Sequence, residues 1–193
     1  MDLTKILSGG MLDSLVELVS KKLNIDEDKV RSVITLGIPL LLKTLSKNTK
    51  DSEEAENISN AIAEDHDGSI LGDLTSLFTG DTQTDGGKIL KHILGGDLTK
   101  TTKTIGEKTD TKSTDVKNIL VTLAPLVMGT LGKQQKEENL DTEGTKQLIE
   151  DTADEAEKTF DTGKILTQLL DKDSDGSVLD DVAGMVGNFL KKK

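Results

Sequence analysis

The sequence predicts an all-α protein, two diverged helical repeat units packed as a bundle, on three observations. Apolar residues recur at spacings of three and four, as in Leu12, Leu15, Val16, Val19 and Leu23, and no stretch alternates as a half-buried strand would. A block around each of the two prolines is repeated along the chain. The aromatics are Phe78, Phe160 and Phe189, with no Trp or Tyr, so Leu, Ile and Val must fill the interior.

The repeat is explicit at the residue level. Val30, Val33, Ile34, Pro39, Leu40, Leu41, Thr44 and Leu45 return 86 residues later as Val116, Ile119, Leu120, Pro125, Leu126, Val127, Thr130 and Leu131. The same offset carries Gly9, Gly10 and Leu12 onto Gly95, Gly96 and Leu98. Further on, Asp65, Asp67, Gly68, Ser69, Ile70, Leu71, Asp73 and Leu74 match Asp173, Asp175, Gly176, Ser177, Val178, Leu179, Asp181 and Val182 at an offset of 108. The second copy is therefore about 22 residues longer. The units are expected over 1–80 and 87–193, with the insertion near 134–160. The Gly, Asp and Thr cluster from Thr79 to Gly87 has turn chemistry and is expected to join them.

Each element has its own reason. Proline has no N–H and crowds the carbonyl four residues back, so Pro39 is expected to kink a helix against Thr35, and Pro125 against Val121. The alternative is that each proline opens the first turn of a new helix. Asp51 followed by Glu54 resembles a capping pair ahead of Ala55, Ile58, Ala61 and Ile62. In Leu98 to Thr114, Thr101 and Thr102 replace Leu15 and Val16 of the first copy, which predicts a frayed, partly ordered segment unless another surface covers it. The inserted stretch holds helix-forming Gln134 to Glu138 and Ile149 to Lys158. Val178, Leu179, Val182, Met185, Val186, Phe189 and Leu190 make a closing helical stripe.

Composition narrows the partners. Lys and Arg number 24 against 35 Asp and Glu, a formal net charge of -11, and Arg31 is the only arginine. Such a surface repels nucleic acid, and Lys191 to Lys193 is too small a basic patch to hold a membrane. A protein partner is the class left open. The absence of cysteine fits a reducing compartment, and Met1 to Leu7 lacks a secretory pattern, so a cytoplasmic location is expected. The longest apolar runs, Ile34 to Leu42 and Ile119 to Met128, fall short of the roughly 20 residues a membrane span needs. They are expected to be buried core helices.

Few residues suggest chemistry. His66 and His92 have no sequence neighbours that complete a triad or a metal pair, and both are expected to be exposed. Asp85, Gly86, Gly87 and Lys88 resemble the end of a phosphate loop, but Ile89 replaces the hydroxyl residue. The stronger pattern is Asp171, Asp173, Asp175 and Gly176, similar to the first half of an EF-hand loop. Alternating aspartates converge on a cation when the loop curls, and glycine permits the sharp turn. Ser177 would add its backbone carbonyl. Val182 stands where the bidentate glutamate belongs, leaving Asp180 or Asp181 to replace it, and Ca2+ is the expected ion. The first copy offers a weaker loop of Asp65, Asp67 and Asp73, with Ala63 and Gly72 at the places of Asp171 and Asp180. The competing reading of both is a polar turn whose aspartates cap the next helix.

Together the repeated V-x-x-V/I-I/L-x-x-x-x-P-L block, the Gly-Gly turns and the D-x-D-G-S-x-L-x-D loop resemble the domain of unknown function 937, the YidB-like group. The resemblance covers most of the chain. It implies a small helical domain of prokaryotic proteins with no established biochemical activity and no catalytic residues to carry over. The expected function is a non-enzymatic helical scaffold or binding module with calcium as a ligand. The alternative is an enzyme or enzyme regulator with a pocket between the two halves.

Overall fold

The computed structural model describes residues 10–170, and no strand occurs among the described residues. Helix α1 is Gly10–Leu23, α2 is Glu27–Asn48 and α3 is Ser52–Asp65. Two 3-10 turns, Ser69–Gly72 and Leu74–Phe78, lead into α4, Gly80–Leu94. A third, Gly95–Asp97, precedes α5, Leu98–Thr109, after which come α6, Ser113–Glu138, α7, Thr142–Phe160, and α8, Gly163–Leu170. The all-helical expectation holds. The loop Asp171 to Asp181 and the closing stripe lie outside the described residues.

Asp and Asn residues punctuate these helices, by their side chains at the starts and by their backbone at the ends. Asp26 accepts from the amides of Asp28 and Lys29, Asp51 from those of Glu53 and Glu54, and Asp141 from that of Gly144, each satisfying first-turn N–H groups. Only half of the capping pair forms at Asp51, because its own N–H donates to the Asn48 carbonyl at 3.3 Å. At the other ends, Asn24, Asp110, Asn139 and Asp161 are left-handed, with φ of 55°, 49°, 51° and 50°. The residue after each donates back across the last turn: Ile25 to Ser20, Thr111 to Gly106, Leu140 to Gln135 and Thr162 to Glu157, at 2.9 to 3.2 Å.

Helices α2 and α6 are the two spines. They pack on each other; α1 lies on α2, α5 on α6 and across α2, α4 along α6, and α7 along α2. Their sequences explain the placement. Val33, Ile34, Leu36, Ile38, Leu40, Leu41 and Leu42 are all buried, and a helix apolar on every side has to be covered on every side. Pro39 and Pro125 are both buried within continuous helices, so neither opens a new helix. Residues from both halves of the sequence join one core cluster, in which Leu41 and Val127 are each 0% exposed.

Two expectations are overturned. The cluster from Thr79 to Gly87 is a connecting turn only at Thr79; from Gly80 it is helix α4, capped by the Thr79 hydroxyl on the Thr82 amide. Its glycine serves packing: a Cβ at Gly86 would stand 2.1 Å from the Val121 carbonyl oxygen and 3.1 Å from the Pro125 ring. Val121 is the residue whose carbonyl Pro125 cannot satisfy, and the missing side chain at Gly86 lets α4 come close to α6 there. The segment after Leu98 is likewise no frayed stretch. Thr101 and Thr102 are buried beside Ile105, and the Thr102 hydroxyl donates to the Leu98 carbonyl at 3.0 Å, which lets a polar side chain face a core.

Candidate functional site

The described aspartate loop follows α3. Gly68, at φ 85°, turns the chain, and Asp67 accepts from the Ser69 amide at 2.9 Å. Asp73 accepts from the Thr75 amide at 2.9 Å and the Thr75 hydroxyl at 2.6 Å, starting the second 3-10 turn. The loop sits on a glycine seat in α6. A Cβ at Gly132 would be 1.7 Å from the His66 carbonyl oxygen, and one at Gly129 would be 2.7 Å from Ile70. On the loop side, a Cβ at Gly68 would be 2.6 Å from the Lys133 side chain and 3.0 Å from the Gly129 carbonyl.

Above this seat lies an open groove of about 510 Å³, where Asp65, Asp67 and Asp73 meet Asp81 and Asp85 of α4. The structure thus gathers the three predicted loop residues on one strongly acidic groove. It does not converge them on a point: no group of three or more His, Asp or Glu among the described residues is arranged to hold a metal ion. Asp67 and Asp73 are already engaged by their own turns. The Ser69 amide holds the Asp67 carboxyl below its ordinary range, and the Thr75 hydroxyl, then its amide, does the same for Asp73.

A second groove of about 520 Å³ lies where α5 ends and α6 begins. Its charges are mixed: Lys29 bonds the Asp110 carboxylate at 3.0 Å, with Lys103, Glu107, Lys112 and Asp115 around them. Of the two histidines, His66 lines the acidic groove between Asp65 and Asp67, while His92 lies on α4. His92 is exposed, as expected, and its Nε2 lies 2.6 Å from a Glu54 carboxylate oxygen. His66 is half-buried, because its backbone rests on Gly132. Asp85 to Lys88, which resembled a phosphate loop, lies inside α4.

Sequence reading missed the glycine seat. The signal was present as Gly129 and Gly132, three residues apart on one face of a helix otherwise rich in large apolar side chains. The family model for a bacterial protein of unknown function (DUF937) matches residues 5–134. The chain belongs to the DUF937 family. No curated protein and no solved structure matches it. The DUF937 match takes in both prolines, the acidic loop and its seat, whereas α7 and α8 lie beyond it. Among the described residues, no helix is long and apolar enough to cross a membrane.

Proposed function

We propose that this DUF937 chain is a non-enzymatic helical binding module, built from two diverged units over 1–80 and 87–193, that takes up calcium through Asp171 to Asp181. The observation that carries the metal is the run Asp171, Asp173, Asp175 and Gly176, three alternating carboxylates ending on a turn glycine. That pattern suits an ion taking about six to eight oxygen ligands in adaptable geometry. The first copy is informative by contrast. It keeps the turn, with Gly68 left-handed, but Ala63 and Gly72 replace two of the acidic positions and Asp67 and Asp73 bond their own backbone.

Support for two related units comes from details 86 residues apart. Asn24 and Asp110 are both left-handed, and the bond from Ile25 to Ser20 has its counterpart from Thr111 to Gly106. A binding role rather than catalysis is supported by the character of the acidic groove, whose perturbed carboxylates answer to their own turns rather than to one another.

The test is a calorimetric calcium titration of the parent, Asp173→Ala and Asp67→Ala, with a thermal melt of each. We expect one calcium per parent chain at a Kd on the order of 10⁻⁵ to 10⁻³ M, weaker magnesium binding, loss in Asp173→Ala and retention in Asp67→Ala. Binding by Asp173→Ala equal to the parent's, or no heat and no Tm rise with millimolar calcium, would overturn it.

A further inference from the structure

Helix α7 is fastened to the bundle by a device unlike the rest of the core. Gln135, at the end of α6, is buried and donates through its amide nitrogen to three acceptors: the Ser59 carbonyl at 3.2 Å, the Ser59 hydroxyl at 3.1 Å and the Thr145 hydroxyl at 2.8 Å. A carbonyl accepts only, so the NH2 side of Gln135 must face it, and the amide orientation is determined. Thr145 in turn donates to the Asp141 carbonyl at 2.8 Å and accepts from Ser59 at 3.3 Å. Three buried polar side chains from α3, α6 and α7 thus satisfy one another where those helices meet.

Along the rest of α7, which lies along α2, the buried side chains are mostly small. Its buried face is Thr145, Leu148, Ile149, Thr152, Ala153 and Ala156, of which only two are large and apolar. Most of its packing is against α2 and α3, with less against α6, the helix it follows in the chain. A second fastening is ionic, from Lys43 of α2 to Asp154 at 2.7 Å and Glu157 at 2.9 Å. Left-handed Asn139 and Asp161 bound the helix on either side. The DUF937 match stops at residue 134, one residue before Gln135, so it holds Ser59 while Gln135 and Thr145 lie beyond it.

We propose that α7 and α8 form a releasable strap over α2, which the Gln135, Ser59 and Thr145 lock admits in a single seating and which detaches as a unit while α2 to α6 stay folded. Four of the six buried α7 positions are Thr or Ala, so α7 itself gives up little apolar contact on detachment, and the lock makes any slipped seating costly, because a shift along the helix axis leaves three buried polar groups unpaired. Releasing the strap uncovers the aliphatic side of α2.

Native-state hydrogen exchange in low denaturant tests this on the full chain. Amides of 146–160 in the parent are expected to exchange through a shared opening, at least about tenfold more often than amides of 119–131 in α6. Thr145→Val keeps the shape and removes the hydroxyl; it is expected to raise the α7 rates by roughly a further tenfold and leave α6 unchanged. Exchange of α7 and α6 through one common opening in the parent overturns the strap. A Thr145→Val effect spread equally over both helices, or absent from both, overturns the lock.

Discussion

At the scale of single residues, the described glycines differ in what surrounds them in ways that sequence alone does not separate. Gly72, Gly87 and Gly96 have open space where a Cβ would go, whereas Gly86 and Gly132 each have a backbone carbonyl there. A helix gains about 1 kcal/mol of propensity when glycine becomes alanine, so the sign of the substitution depends on the space. Gly87→Ala is expected to stabilise by about 0.5 to 1 kcal/mol. Gly132→Ala places its methyl against the His66 carbonyl, which cannot swing aside as a side-chain tip would, and should destabilise by about 1 to 3 kcal/mol. Denaturant unfolding of both variants checks the pair; equal signs would refute the glycine seat. The same scale explains the threonines. The hydroxyls of Thr102, Thr122, Thr130 and Thr152 each donate to the carbonyl four residues back, which satisfies the donor within the helix, and Thr122 also accepts from the Gln83 amide at 3.1 Å.

At the scale of elements, Lys43 joins α2 to α7 and gives that contact a signature in pH. Burial works against its charge, yet the hydrogen bonds that Lys43 donates to Asp154 and Glu157 outweigh burial and hold its pKa above the ordinary 10.5. A raised lysine pKa means that its stabilisation is fully present below the unfolded value and is lost as pH rises through the folded one. The Tm difference between the parent and Lys43→Met is therefore expected to be constant near neutrality and to shrink from about pH 10.5 upward. A difference that is flat across that window would dissociate Lys43 from the ion pairs. Elements also mark how far the sequence could be read. The spines were legible because their apolar blocks surround prolines, and α3 and α7 because Asp51 and the inserted charged stretch carry helix signals. Helix α4 was misread as turn chemistry because the close approach that uses Gly86 depends on a helix far along the chain. Helix α5 looked frayed because threonine back-bonding is invisible until the covering helices are known. Of the acidic loop, residue types and the left-handed glycine were legible, but not that Asp67 and Asp73 turn inward on Ser69 and Thr75.

At the scale of the whole molecule, the single core cluster makes a prediction about cooperativity. Leu41→Ala in α2 is expected to cost about 2 to 5 kcal/mol, and Val127→Ala in α6 somewhat less because fewer methyl groups leave the interior. Each should lower one shared calorimetric transition of the core, since the two spines pack on each other. Two separate core transitions, each sensitive to only one substitution, would show that the halves unfold independently.

The order of the spines along the chain also bears on synthesis. Residues 27–48 are made before residues 113–138 and 142–160, the two helices that give them most of their cover. At about 5 to 20 residues per second, the interval between the end of α2 and the arrival of α7 is on the order of ten seconds. Throughout it, the run from Leu36 to Leu42 is outside the ribosome without most of its cover, which makes the nascent α2 a natural client for a holding chaperone.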